Sequence, residues 1–187
     1  MNKQRTQRLT RQDWLRTGLN ALASDGSSAL QAEPLARRLG TTKGSFYWHF
    51  ADLPAFQAEL IERWEDEAIE MVHAAKSSSQ GDAARLRHYA QTIMDMSASD
   101  AAAIFPVEPA IRAWGLSHDG AAAAIRRVDA KRLDHLGSLL GAIGVSNPEM
   151  ARIIYSASLG MEALGPEEAN RNKGAIGSLV DLVLALR

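Results

Sequence analysis

Cysteine is absent from the 187 residues. Disulfides, thiolate metal ligands and thiol redox sensing are therefore excluded. Long apolar runs are absent too: no stretch reaches the ~18 residues expected of a membrane span. The opening Met-Asn-Lys-Gln-Arg-Thr-Gln-Arg holds no apolar signal core. A cytoplasmic chain with no membrane partner is the expectation. Strand signals are missing, with no sustained two-residue alternation and no hairpin dipeptide between apolar segments. Enzyme signatures are missing as well: there is no His-Glu-x-x-His, no phosphate-cradling glycine loop and no Gly-x-Ser-x-Gly. Glu70 and His73 have the Glu-x-x-His spacing of a di-iron bundle, but that site needs a second copy and the sequence has none. The pair reads as solvated surface on an acidic helix face. No catalytic residue, metal ligand or cofactor is expected.

What the chain does have is helical period. Alanine and leucine dominate, and both are strong helix formers. The length exceeds one small three-helix unit and leaves room for a second, larger helical domain. The net charge of −1 hides an asymmetry. Residues 1–50 carry eight Lys/Arg against three Asp/Glu, a balance of +5, and the remainder carries 13 against 19, a balance of −6. A basic head on an acidic body suits a phosphate-facing unit on a soluble one.

Start and stop signals divide the chain into about nine helices. Thr10 and Asp13 form a capping pair for the first, whose apolar face is Leu15, Leu19, Leu22 and Ala23. Asp25-Gly26 ends it. The second begins near Gln31, with Pro34 in its first turn. Asp52 looks like the cap of a long fourth helix with the stripe Phe56, Leu60, Trp64, Ala68, Met71 and Ala75, backed by Glu59, Glu62, Asp66 and Glu70. The polar run 77–82 is a loop, and a fifth helix runs from Asp82 to about Ser97. Pro109 suits the first position of a short sixth helix through Trp114. A seventh spans Ala121 to Leu140, and Asn147-Pro148-Glu149 opens an eighth that Gly165-Pro166 closes. Ile176 to Leu186 reads as the ninth.

The densest information lies between Leu35 and Phe50. Leu35, Ala36 and Leu39 share one face of a short helix, and Gly40 suits a left-handed stop. Thr42 suits the N-cap of a second short helix. That helix turns Phe46 and Phe50 inward and presents Lys43, Ser45, Tyr47, Trp48 and His49. Two short helices joined by a tight glycine turn, the second rich in donors, is the layout of a helix-turn-helix.

The pattern Leu35-Ala36, Leu39-Gly40, Thr42, Gly44-Ser45, Phe46-Tyr47, His49-Phe50 resembles the DNA-binding segment of the TetR family of bacterial transcriptional regulators. The resemblance covers roughly residues 8–65. It implies an all-α chain, with a three-helix DNA-binding head over residues 1–51 and a helical effector-binding and dimerisation domain over 52–187. It also implies a repressor that binds double-stranded DNA at a palindromic operator as a homodimer and is released by an unknown small-molecule effector. Thr41, Thr42, Lys43 and Ser45 become the candidates for base edges. Lys43, Tyr47 and His49 become the phosphate contacts, with packing against the fourth helix as the alternative for the last two. Trp48 is a sugar or thymine-methyl contact, or packs on the body. Arg5, Arg8 and Arg11 are candidates for a minor-groove arm, with a disordered basic tail as the alternative.

Two departures from the family pattern stand out. Ala51-Asp52-Leu53-Pro54 lacks the basic residue that usually opens the fourth helix, and Gln31 stands where a Ser/Thr cap is common. In the body, Trp64, Met71, His88, Met94, Phe105, Arg112 and Trp114 are the effector-pocket candidates, with plain core as the alternative. Arg112, set between apolar neighbours, needs either a structural carboxylate such as Glu108 or an acidic ligand. The apolar eighth and ninth helices are too greasy for a monomer surface, which makes Ile154, Leu159, Leu179, Val180 and Val183 the candidate dimer interface. The competing reading is a helical protein-interaction module whose helix-turn-helix no longer binds DNA.

Overall fold

The computed structural model describes residues 9–76, 81–95, 107–164 and 168–185, the side chains of Ala75, Lys76, Met94, Asp95 and Ala169 aside. The described residues form helices and one 3-10 turn, with no strand. The helices are α1 (Arg11–Asp25), α2 (Ala32–Arg38), α3 (Lys43–His49), α4 (Leu53–Lys76), α5 (Asp82–Asp95), α6 (Val107–Gly115), α7 (Asp119–Ala142), α8 (Glu149–Glu162) and α9 (Ala169–Ala185).

The head forms as its local chemistry dictates. The Thr10 hydroxyl accepts from the Asp13 N–H at 3.3 Å, and the Asp13 carboxylate accepts from the Thr10 N–H at 2.8 Å. These reciprocal bonds satisfy donors that a helix start leaves orphaned. The Thr10 backbone N–H and then its hydroxyl hold the Asp13 carboxyl below its ordinary range. Gly40 sits at φ +63° in the turn between α2 and α3, a left-handed position that suits glycine. Thr42 occupies the N-cap position of α3, but its hydroxyl makes no capping bond. The α2 N-cap Gln31 makes none either.

An aromatic nucleus fixes the three head helices. Trp14, Phe46, Phe50 and Phe56 are buried, and Phe46 meets Trp14, Phe50 and Phe56 at ring-centroid distances of 5.4, 5.1 and 5.3 Å. Edge-on and tilted pairs of this kind add to the area they bury. Phe56 belongs to α4, so the head's core continues into the connecting helix. Gly18 permits the approach: a Cβ there would lie 2.6 Å from Phe56 Cζ and 2.8 Å from Leu60 Cδ1.

Two hydrophobic clusters organise the chain. The first joins the head to Leu60, Trp64 and Ala68 of α4, Ile111 and Trp114 of α6, and Ala121, Ala124 and Val128 of α7. The second gathers Val72 of α4 with α5, the C-terminal half of α7, α8 and α9. α9 starts seven residues before the expected Ile176, in a polar stretch. There the buried Asn172 donates its amide to the Met161 carbonyl at 2.7 Å, tying the start of α9 to the end of α8. α6 begins at Val107, which puts Pro109 third rather than first. Gly165-Pro166, expected to close α8, lies outside the described residues. No helix among them is long and apolar enough to cross a membrane.

Candidate nucleic-acid interface

α3 is seven residues long, and only Phe46 on it is fully buried. Phe46 and Phe50 act as the inward anchor, which turns the rest of the helix out. Thr42, Lys43 and Gly44 are exposed, Thr41 and Ser45 half-buried, and Trp48 is 88% exposed. A Cβ on Gly44 would meet only the Thr42 hydroxyl, at 3.7 Å, so nothing crowds that surface. Tyr47 is half-exposed, its ring edge-on to Phe46 at 5.3 Å. His49 differs. It is half-buried, with its ring 6.2 Å from Trp14 and 6.4 Å from Phe50, so packing contributes to its placement.

Among the described residues, the basic charge of the head is mostly engaged inside the chain. Arg16 pairs with Asp13 at 2.9 Å, Arg37 with Glu33 at 3.4 Å, and Arg38 with Asp25. Arg11 pairs with Glu59 of α4 and lies over the Phe50 ring at 4.8 Å. The Glu59 hydrogen bond raises the Arg11 pKa. Lys43 makes no ion pair among the described residues. Exposed pairs such as Arg37–Glu33 are worth little and yield to a phosphate. Arg5 and Arg8 lie outside the described residues.

Asp52 settles the chemistry of the α4 start. Its Oδ1 accepts from the Ala55 N–H at 2.7 Å. A helix N-terminus binds anions through such N–H groups. Here a carboxylate occupies one of them and places negative charge beside α3.

The expected dimer residues divide by burial. Ile154, Val180 and Val183 are at most 4% exposed within one chain, and Leu159 and Leu179 are half-buried. Ile154, Val180 and Val183 are therefore core of the protomer, where α8 and α9 pack on α5 and α7. This corrects their assignment to an open surface. The open apolar side chains lie one position round each helix, at Ile153 and Leu182, flanked by small residues such as Ser156, Gly160, Ala175 and Ser178.

Among the effector-pocket candidates, Trp64 and Trp114 are buried in the first cluster and Met71 packs against it half-buried. His88 is exposed on α5. The Met94 side chain and Phe105 lie outside the described residues. Arg112 is the exception, since it sits in a network where α6, α7 and α8 meet. Its guanidinium donates to Glu108 at 2.9 Å, to Asp129 at 2.6 and 3.3 Å, and to the Tyr155 hydroxyl at 2.9 Å. Arg132, 1% exposed, forks onto the two Glu108 oxygens at 2.8 and 3.2 Å and reaches Tyr155 at 3.1 Å. The Tyr155 hydroxyl in turn donates to Asp129 at 2.6 Å.

Burial pulls both arginines down, but Asp129 and Glu108 beside Arg112, and Glu108 beside Arg132, lift them above their ordinary value. Both stay charged. Burial pushes the Tyr155 hydroxyl up to about 12. Glu162, two turns beyond Tyr155 on α8, is pushed up to about 7 by burial and then by the Glu108 charge. Of this network only Arg112 and Glu108 stand out in the sequence. Arg132 had a signal: it falls between Val128 and Leu136, at i+4 from one and i−4 from the other, on the apolar stripe of α7.

Comparison with known proteins places this geometry. Residues 15–52 match the profile of the bacterial regulatory proteins of the tetR family. Over the whole chain, the fold is similar to a transcriptional regulator from Rhodococcus sp. Rha1, at 16% identity and a TM-score of 0.77, covering 95% of this chain and 97% of that one. It is similar to reduced NemR of E. coli, at 17% identity and a TM-score of 0.72, covering 92% and 94%. It is also similar to the Bacillus subtilis regulator FadR in complex with stearoyl-CoA, at 13% identity and a TM-score of 0.66, covering 94% and 98%. No curated protein matches the chain by sequence.

Proposed function

We propose that this chain, whose residues 15–52 match the profile of the tetR family of bacterial regulatory proteins, is a sequence-specific DNA-binding repressor. It acts in the cytoplasm as a homodimer on a palindromic operator and is released by a small molecule. Residues 1–51 read DNA, and residues 52–187 dimerise and take the effector. The single observation that carries the reading is α3. Its one fully buried side chain is Phe46, and it presents Lys43, Ser45, Tyr47 and Trp48 outward. Lys43 and the Tyr47 hydroxyl position the helix on phosphate; Thr41, Thr42 and Ser45 read base edges. His49 adds a phosphate contact from a ring fixed against Trp14.

One seven-residue helix reads only a half-site, so two heads are needed at the spacing of successive major grooves. The open edge carrying Ile153 and Leu182 supplies the pairing surface, with Leu159 and Leu179 at its margin. Leu182→Glu leaves Val180 and Val183 packed and separates the subunits, which light scattering at micromolar concentration measures. The effector binds the body better in the conformation whose heads are out of register, which shifts the population off DNA. Trp64, Met71, Arg112 and Trp114 belong to the body through which that shift travels.

Asp52 and the paired arginines favour a second reading, a protein-interaction module whose head has lost DNA. One titration separates the two. Fluorescence anisotropy with the DNA upstream of the protein's own gene gives binding that falls linearly with log salt, at a slope of ~0.9 per phosphate neutralised. Lys43→Ala with Tyr47→Phe, which keeps the ring on Phe46, weakens it across all sequences without lowering the melting temperature. A wild-type chain that shows no saturable, salt-dependent binding belongs to the second reading.

A further inference from the structure

We infer that the polar cluster where α6, α7 and α8 meet binds a small organic cation, with the Glu162 carboxylate as counter-charge. The inference rests on the small-molecule release proposed above and names the chemistry of the molecule.

The argument begins with charge. Arg112 and Arg132 bring two positive charges, and Glu108 and Asp129 bring two negative ones. Each guanidinium already holds a carboxylate, and the Tyr155 hydroxyl accepts from both. An organic acid entering here would meet Glu108 and Asp129, and would reach a guanidinium only by displacing one of them. Glu162 is the charge left over.

Three solvent-excluded polar atoms around the cluster have no hydrogen-bond partner among the described residues: Glu162 Oε1, Arg132 Nε and the Tyr89 hydroxyl. Arg132 and Tyr89 are each 1% exposed. Buried groups of this kind are as a rule matched by a partner, so three around one cluster point to a polar guest. Glu162 has no cation dedicated to it, because both nearby arginines are held by Glu108 and Asp129. Burial and the Glu108 charge therefore keep its proton on up to about pH 7. The groups around the site are Tyr89 from α5, Glu108 and Arg112 from α6, Asp129, Arg132 and His135 from α7, and Tyr155 from α8. From α9 the Asn172 amide is committed to the Met161 carbonyl.

A protonated amine changes this balance. The ammonium takes the place of the acidic proton: the Glu162 O–H bond breaks, the proton leaves to solvent, and an ammonium–carboxylate pair forms. Net charge at the site is unchanged, with one cation in and one proton out. Binding is therefore tied to proton release. Affinity is greatest above the Glu162 pKa and falls as pH drops below it, by about tenfold between about pH 8 and about pH 6.

The test uses the full chain at constant ionic strength, with phenethylammonium as the probe and phenylacetate as its anionic counterpart. Isothermal calorimetry and the melting temperature are read at about pH 6 and about pH 8. The expected result is binding of phenethylammonium, about tenfold tighter at the higher pH and accompanied by proton release to buffer. Glu162→Gln, which keeps shape and fold by circular dichroism, loses at least tenfold in affinity and all of the pH dependence. Tyr89→Phe weakens binding less and keeps the pH dependence. Three results overturn the inference: no binding of phenethylammonium up to ~10 mM, tighter binding of phenylacetate, or unchanged binding in Glu162→Gln. Operator affinity is measured separately. Cation binding at Glu162 without loss of operator DNA refutes the release reading and leaves the site standing. Release by phenylacetate alone does the reverse.

Discussion

The head and the body bury different things. The head encloses an aromatic nucleus of Trp14, Phe46, Phe50 and Phe56, and its arginines pair with carboxylates at the surface. The body encloses charge: Glu108 and Arg132 are 4% and 1% exposed, and they hold Arg112, Asp129 and Tyr155 in one network. An apolar nucleus has one good packing and keeps it, which suits a reader that must present α3 the same way each time. A buried ionic network adds little net stability over apolar packing, but it is costly to leave half-made. That sensitivity suits the part of the molecule proposed to respond to an effector.

The largest test of this contrast compares two arginines. Arg132→Ala leaves Glu108 buried without its forked partner and costs about 3–5 kcal/mol. Arg37→Ala, at a solvated pair, costs less than about 1 kcal/mol. Urea titrations of both variants give the ratio, and equal costs would erase the distinction. Next comes the joint between the regions. Gly18→Ala drives a Cβ against Phe56 and Leu60, and overpacking of this kind costs about 1–3 kcal/mol. The alanine's better helix propensity offsets only part of it. A raised melting temperature would show that the nucleus is looser than its distances imply.

A smaller effect divides α3 itself. His49→Ala removes a ring that packs near Trp14, lowering stability by about 1 kcal/mol as well as weakening DNA binding. Tyr47→Phe, which keeps the ring on Phe46 and removes only the hydroxyl, weakens DNA binding alone. Matching melting temperatures for the two variants would return His49 to a purely external role. The smallest effect is a pH dependence in the body. Glu162 has a folded pKa of about 7, above its unfolded value, so the folded state holds an extra proton between the two. Its contribution is fully present below the unfolded pKa and is lost as pH rises through about 7. The melting temperature of the free chain should fall over that window and level off above it. Glu162→Gln should remove that slope, while Asp13, whose pKa is lowered instead, contributes in the opposite sense at acid pH.

The head could be read from sequence because its signals are local. The Thr10–Asp13 box spans one turn, Phe46 and Phe50 are i and i+4, and Gly40 marks the stop. The body's helices and the Glu108–Arg112 pair one turn apart could be read too, but the rest of its network could not, because those partners are distant. Glu108 meets Arg132 across 24 residues, and Arg112 meets Tyr155 across 43. The dimer face failed for a related reason: greasy residues on α8 and α9 serve their own protomer first, and sequence does not distinguish burial within a chain from burial between chains. The proposed pairing surface therefore moves by one residue, from Ile154 and Val183 to the exposed Ile153 and Leu182. The α9 start was hidden by its polar composition, and only the Asn172 amide bond to Met161 explains it.

The placement of the tryptophans has an optical consequence. The chain has four. Trp14, Trp64 and Trp114 are at most 6% exposed, whereas Trp48 stands 88% exposed on the reading face. The buried three emit from a low-polarity surround, and the fourth emits from water. The red edge of the fluorescence spectrum therefore belongs chiefly to one residue, at the surface proposed to meet DNA. Iodide would quench that edge and spare the rest. A duplex seated on α3 would shield it, so the protein carries its own reporter of docking and needs no added dye.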